Sequence, residues 1–397
     1  MSITNKRIYL DYAAAAPLAP EARAAMSAVM EEMVGNPSAI HAEGQRARDI
    51  VETARVAVAR AVMARPEQVV FTSGGTEANN LAVHAAIAQA RQVRGAAATL
   101  KVLTTAIEHP SLLKPLEALQ DCNVVVDYVP VAETGEIILS ELQQRLTPEV
   151  VLVTFAYINS EVGTIQPVRA LGHAVREYAA QHDIDIWLHL DGAQAPYWVS
   201  CQWDSLRVDT LALDAGKCGG PLGAGALLHG VGRTLVPLQR GGGQERGLRA
   251  GTEAVIQIAG TGAALAAAQA QWRTRAAAVR VVRDAAWQHC RTLLPQVYIN
   301  GSEGDARVAN NLHISLPEID TEYATVVLDA HGVAVSTKSA CAGAGGGASA
   351  VVLAMTGDAA RAHSTLRFTL GPETTHEDME RVFQILQRHC AQQSTLT

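Results

Sequence analysis

Val150-Val151-Leu152-Val153-Thr154-Phe155-Ala156-Tyr157 is an almost unbroken apolar run. A strand with one wet face alternates apolar and polar residues. A run like this one suits a strand buried on both faces, as in a parallel sheet covered by helices. Outward from it, strands are expected over residues 69–72, 101–105, 123–129, 186–190, 210–213 and 224–228. Helical spacing falls between them, over 76–93, 111–119, 139–146 and 166–180. Such alternation predicts an α/β fold with a mostly parallel central sheet and helices on both faces. Residues 20–33 and 41–64 read as helices that precede it, and residues 8–10 as a short strand or arm. An Ala-rich helix over 252–294 reads as a link. Beyond it, a strand at 311–315 and helices at 321–331 and 377–391 suggest a smaller α+β domain.

Composition narrows the function. The 397 residues carry 32 Lys and Arg against 39 Asp and Glu, a net charge of −7 with no basic stripe, which argues against a nucleic-acid surface. Aromatic residues are only 4%, which also disfavours a base-stacking surface. None of the six cysteines forms a C-x-x-C pair, so no zinc ribbon or other metal site is expected, and their spread suits a reducing compartment. The first residues lack the apolar core of a signal peptide, and no uncharged run reaches membrane-spanning length. The expectation is a cytoplasmic protein.

Several segments carry residues fit for chemistry. Thr72-Ser73-Gly74-Gly75-Thr76-Glu77 joins a strand to a helix. Its small residues let backbone N–H groups approach a phosphate at the helix N-terminus, although an ordinary tight connection reads equally well. Asp191 ends a buried strand, where ligands bind in open α/β sheets; it also reads as a plain cap. Lys217 sits in the turn Asp214-Ala215-Gly216-Lys217-Cys218-Gly219-Gly220 and offers an amine nucleophile, or else an idle surface charge. His109, before Pro110, suits acid–base work or a cap. Arg367, inside the apolar segment Thr365-Leu366-Arg367-Phe368-Thr369, needs an anionic partner, either a ligand or a structural carboxylate. Cys341 heads the loop Ala342-Gly343-Ala344-Gly345-Gly346-Gly347-Ala348, whose composition suits mobility, and it is the best reactive thiol of the six. Cys218 reads as incidental.

Taken in order, these motifs resemble the cysteine desulfurases, in the class V branch of fold-type I pyridoxal-phosphate enzymes. The likeness runs from Tyr9-Leu10-Asp11 to the last helix. It is carried also by Gly35-Asn36-Pro37-Ser38-Ala39-Ile40-His41, Glu161-Val162-Gly163-Thr164-Ile165-Gln166-Pro167, Gly241-Gly242-Gly243-Gln244-Glu245-Arg246-Gly247-Leu248-Arg249-Ala250-Gly251-Thr252 and Ser339-Ala340-Cys341. The spacing from Cys341 to Arg367 is similar to that of the long-loop group.

The resemblance implies a large cofactor-binding domain over residues 18–264. A small domain over 1–17 and 265–397 would carry the cysteine loop. It implies pyridoxal 5'-phosphate held as an imine by Lys217, with Asp191 on the ring nitrogen, Gln194 on the ring oxygen and His109 stacked on the ring. Gly75 and Thr76 would hold the phosphate, joined by Thr252 from the other subunit of a homodimer. Asn36 and Arg367 would bind the substrate carboxylate, and Cys341 would take sulfur from L-cysteine as a persulfide, leaving L-alanine. The sulfur would pass to an acceptor protein for iron–sulfur cluster assembly or thiolation. A selenocysteine lyase, another class V lyase or aminotransferase, and a catalytically impaired scaffold homologue are the alternatives.

Three positions depart from the family pattern. Asp214 replaces a Ser that donates to the phosphate, Gly216 replaces a His that does the same, and Ser160 replaces an Asn on the ring oxygen. A carboxylate beside a phosphate dianion is repulsive unless it is protonated or turned away. The expectation is a cofactor held less tightly than usual.

Overall fold

The computed structural model describes residues 7–317, 319–337 and 347–394. Its strands are β1 (Ile8–Tyr9), β2 (Val69–Thr72), β3 (Leu100–Thr104), β4 (Val124–Tyr128), β5 (Val150–Ala156) and β6 (Trp187–Asp191). They continue as β7 (Thr210–Asp214), β8 (Gly225–His229), β9 (Tyr298–Ile299), β10 (Asn311–Ser315), β11 (Val333–Ala334) and β12 (Thr365–Thr369). Seven form the main sheet, in the order β2-β8-β7-β6-β5-β3-β4. Strands β3 to β7 pair in parallel, while β8 runs antiparallel to β7 and β2. The apolar run is strand β5, and all its residues but the last are buried. It lies between β6 and β3, with Val153 opposite Leu188 and Leu103, and the burial of successive residues, which point to opposite faces, shows that both faces are covered.

This arrangement places the carboxyl ends of β2, β3, β5, β6 and β7 along one edge. Ligands bind at that edge in open α/β sheets. The helix Gly75–Arg94 starts immediately after β2 because Gly74, at φ +139, takes a backbone conformation that side chains disfavour. Its Ala78, Leu81, Ala82, Ala85 and Ala86 are buried, an apolar stripe at helical spacing.

The link helix is continuous from Val255 to Leu293, 39 residues long. It packs against the helices Pro20–Glu31 and Ala42–Ala61 near its start and against His376–Ser394 further on. Its close approach to the second helix uses Gly262, where a Cβ would come within 2.8 Å of Ala54 Cα. The boundary expected at 264/265 falls inside this helix, with no break there. The second unit holds the antiparallel sheet β12-β10-β9, and β1 pairs in parallel with β11. The two-residue strands β1, β9 and β11 show that neighbouring chain, not length, stabilises them.

Candidate active site

One cavity at the strand ends gathers most of the residues expected from the sequence. Lys217, Asp191, His109, Gln194, Asp214 and Arg367 line it. Gly75, Thr76 and Ser160 line it as well. Two expected residues are not brought there by a single chain. Asn36 is exposed on its turn, where its Oδ1 accepts from Ser38 N–H at 2.9 Å, and Thr252 is exposed outside the cavity. Cys341 lies outside the described residues.

Each wall has a local cause. Asp191 is the last residue of β6 and 6% exposed. Its Oδ1 accepts from Ala193 N–H at 2.9 Å and its Oδ2 from Asn79 Nδ2 at 2.8 Å. The cap reading of Asp191 therefore holds locally, within a turn rather than a helix. Burial pushes this carboxyl above its ordinary range, against the pull of Ala193, Asn79 and His109. Among the described residues no ion pair reaches Asp191, so the buried acid meets only neutral hydrogen-bond donors. A protonated ring nitrogen is the partner such an acid lacks.

His109 caps the helix Pro110–Leu119, its Nδ1 accepting from Ser111 N–H at 3.1 Å. The cap and the site role coincide, because the ring also lines the cavity. Asn79, in the helix after β2, fixes the tautomer. Its Nδ2 donates to Ser111 Oγ at 2.9 Å, so the Ser111 hydroxyl donates onward to His109 Nδ1 at 2.8 Å. His109 therefore presents Nε2–H when neutral, and burial lowers its pKa from the ordinary value. On the other side Asn79 Oδ1 accepts from His189 Nε2 at 3.0 Å, and Thr210 hydroxyl meets His189 Nδ1 at 2.8 Å. Burial drives the His189 pKa down to about 3, so that ring stays neutral.

Lys217 follows β7 in a short turn, and its Nζ donates to Ala14 carbonyl oxygen. Gln194 Nε2 donates to Ala13 carbonyl oxygen at 2.9 Å. The segment after β1 thus forms one wall. Arg367, on β12 and 1% exposed, donates through Nη2 to Asp11 Oδ1 at 2.8 Å and through Nη1 to Ser160 carbonyl oxygen at 3.0 Å. The structural-carboxylate reading of Arg367 is met by Asp11, and its Nε is buried with no acceptor among the described residues. Glu108 lies beneath, fully buried, accepting from Thr105 hydroxyl at 2.6 Å and Ala156 N–H at 2.8 Å. Burial raises its carboxyl to about 8. Cys218 is buried beside Lys217 and its thiol is pushed up, which makes it inert.

An amine on a small-residue turn, a buried acid without a cation, a cavity-lining His and an Arg with a spare donor define a class. The protein is built as a fold-type I pyridoxal-phosphate enzyme, and the donor set fits the ring of that cofactor. The aminotransferase class-V family model matches residues 8–382. The cysteine desulfurase IscS of Dictyoglomus turgidum is 35% identical over 97% of this chain and 94% of its own length. The cysteine desulfurase IscS 1 of Archaeoglobus fulgidus is 33% identical over 95% of each. A solved structure described as a NifS-like protein superposes with a TM-score of 0.88 at 28% identity, covering 97% of this chain and 99% of that one. The chain belongs to the class V aminotransferase family and, within it, to the cysteine desulfurases, whose cofactor is pyridoxal 5'-phosphate.

Sequence reading missed Asn79, Ser111 and Glu108. The available signal was Asn79 itself, four residues after Gly75 and on the same stripe as the buried Ala82 and Ala86.

Proposed function

We propose that the chain converts L-cysteine to L-alanine and transfers the sulfur to Cys341 as a persulfide. The observation that carries this reading is the convergence of Lys217, Asp191, His109, Gln194 and Arg367 on one cavity. Bound pyridoxal phosphate supplies an electron sink for charge released at the substrate Cα. Lys217 holds the cofactor through Nζ, and Asp191 keeps the ring nitrogen protonated. Gln194 and Ser160, which line the cavity, would serve the ring oxygen, and His109 would serve the ring itself. Gly75 and Thr76 hold the phosphate with Thr252 of the partner subunit in a homodimer, a role that suits its exposure outside the single-chain cavity.

Arg367, which lines the cavity, would bind the substrate carboxylate, with Asn36 as its companion. Lys217 Nζ would take the Cα proton. The Cys341 thiolate attacks the substrate sulfur, so an S–S bond forms as the C–S bond breaks. The persulfide then passes to a sulfur-acceptor protein for iron–sulfur cluster assembly or thiolation. No helix among the described residues is long and apolar enough to cross a membrane, and we place the reaction in the cytoplasm. The large domain over 18–264 would supply the cofactor site, and the small domain over 1–17 and 265–397 would supply Arg367 and Cys341.

The test is incubation with cofactor, L-cysteine and a reductant, measuring alanine and sulfide. Wild type should yield both, whereas Lys217→Ala and Cys341→Ser should lose sulfide release. Unchanged release in either variant refutes the assignment.

A further inference from the structure

The phosphate end of the cavity contains an anion of its own. Asp214 ends β7, and its Oδ2 accepts from Gly75 N–H at 3.0 Å. Gly75 is the first residue of the 20-residue helix that follows β2. Its N–H is among those left without a partner inside the helix, where the helix dipole favours negative charge. The second oxygen of Asp214 accepts from Gly216 N–H at 2.9 Å. The carboxylate therefore uses both oxygens on backbone donors that converge at this corner. A second carboxylate, Glu77, accepts from Ser73 N–H at 2.7 Å and pairs with Arg249 at 2.9 Å, so Arg249 is already committed. Thr76 is the second residue of the same helix, so its N–H is also among those the helix leaves without an internal partner. Gly216 is accommodated to the same arrangement, since a Cβ there would come within 2.8 Å of Leu222 Cδ2 and 3.3 Å of Asp214 Oδ1.

We propose that Asp214 is a built-in anion on the phosphate seat, which cancels most of the affinity that the phosphoryl group of the cofactor would otherwise add. A phosphate arriving at Gly75 and Thr76 must displace the carboxylate from Gly75 N–H or sit beside it. In the first case one charge-assisted hydrogen bond is exchanged for another with no net gain. In the second, like charges face each other. Either way the phosphoryl group adds little affinity, and retention falls to the ring and to Lys217. The inference rests on the cofactor assignment above but is independent of what happens to sulfur.

The test compares two ligands that differ only in that group, pyridoxal 5'-phosphate and pyridoxal, on the full-length wild type, Asp214→Ser and Asp214→Asn. Dissociation constants are read from the visible absorbance of the bound ring, and inorganic phosphate is titrated as a competitor. In Asp214→Ser the preference for the phosphorylated ligand should rise by about 10-fold or more, the value of one restored charge-assisted bond. Asp214→Asn removes the charge but keeps an acceptor for Gly75 N–H, so a smaller rise is expected. Inorganic phosphate should compete better against pyridoxal 5'-phosphate in Asp214→Ser than in wild type. A preference unchanged or reduced in both variants overturns the proposal alone. Failure of every protein to bind either ligand overturns the cofactor assignment together with it. Sulfide measurements cannot mimic either result, because the readout is binding.

Discussion

Replacing Asn79 by alanine should destabilise the fold by about 2–5 kcal/mol, from the groups it leaves behind. Asn79 is 1% exposed and makes three side-chain hydrogen bonds, to Asp191, Ser111 and His189. Its loss strips Asp191 of one of two donors, a charge-assisted bond worth about 1.5–3 kcal/mol. It also orphans the His189 Nε2–H, which is 0% exposed, at a cost of about 1–3 kcal/mol. His189 cannot escape by taking a proton, because burial keeps it neutral. Ser111 retains His109 as a partner and adds little. The terms share one network, so they should sum to less than their parts. Urea denaturation at fixed cofactor concentration and pH measures the difference. A loss below about 1 kcal/mol would refute the reasoning, because the network would then be incidental to stability.

Glu245→Ala should cost about 2–4 kcal/mol in the same assay, because it takes the two-pronged partner from the buried Arg55 and leaves that charge only the more exposed Glu52 at 3.1 Å. Arg55 donates to Glu245 at 2.8 and 2.9 Å, and Phe71 N–H donates to the same carboxylate at 2.9 Å. Glu108 should make stability depend on pH. Its folded carboxyl is raised from 4.5 to about 8, so the folded chain holds a proton that the unfolded chain has released. That contribution is complete below pH 4.5, falls as pH rises and is lost beyond about 8; Glu108→Gln should flatten this part of the profile. Arg367→Lys keeps the charge but not the fork that reaches Asp11 and Ser160. Its KM for L-cysteine should rise by about 10-fold or more.

The main sheet was legible because β5 is apolar on both faces and the helices between strands keep their period. The second unit was less so. Val333–Ala334 and Tyr298–Ile299 are too short to show alternation and exist only by pairing with β1 and β10. At the site, motif order identified Lys217, Asp191 and His109, and local sequence did not. Asn79 was hidden because Asn79-Asn80 reads as polar surface, whereas only Asn80 faces outward. The expected role of Asp214 toward the phosphate takes a different form in the structure, since a carboxylate can accept from Gly75 where a hydroxyl would donate. Asn36 and Thr252 lie outside the cavity.

The pairing of Asp11 with Arg367 joins residues 356 positions apart. Ala13 and Ala14, just after Asp11, accept from Gln194 and Lys217. The first wall of the pocket to leave the ribosome must therefore wait for β12, one of the last strands, before it can close. Loop closure over such a span is slow compared with local folding. The pocket is accordingly completed only in the finished chain, and a nascent polypeptide stalled before β12 should lack Arg367 and the anchor it gives Asp11.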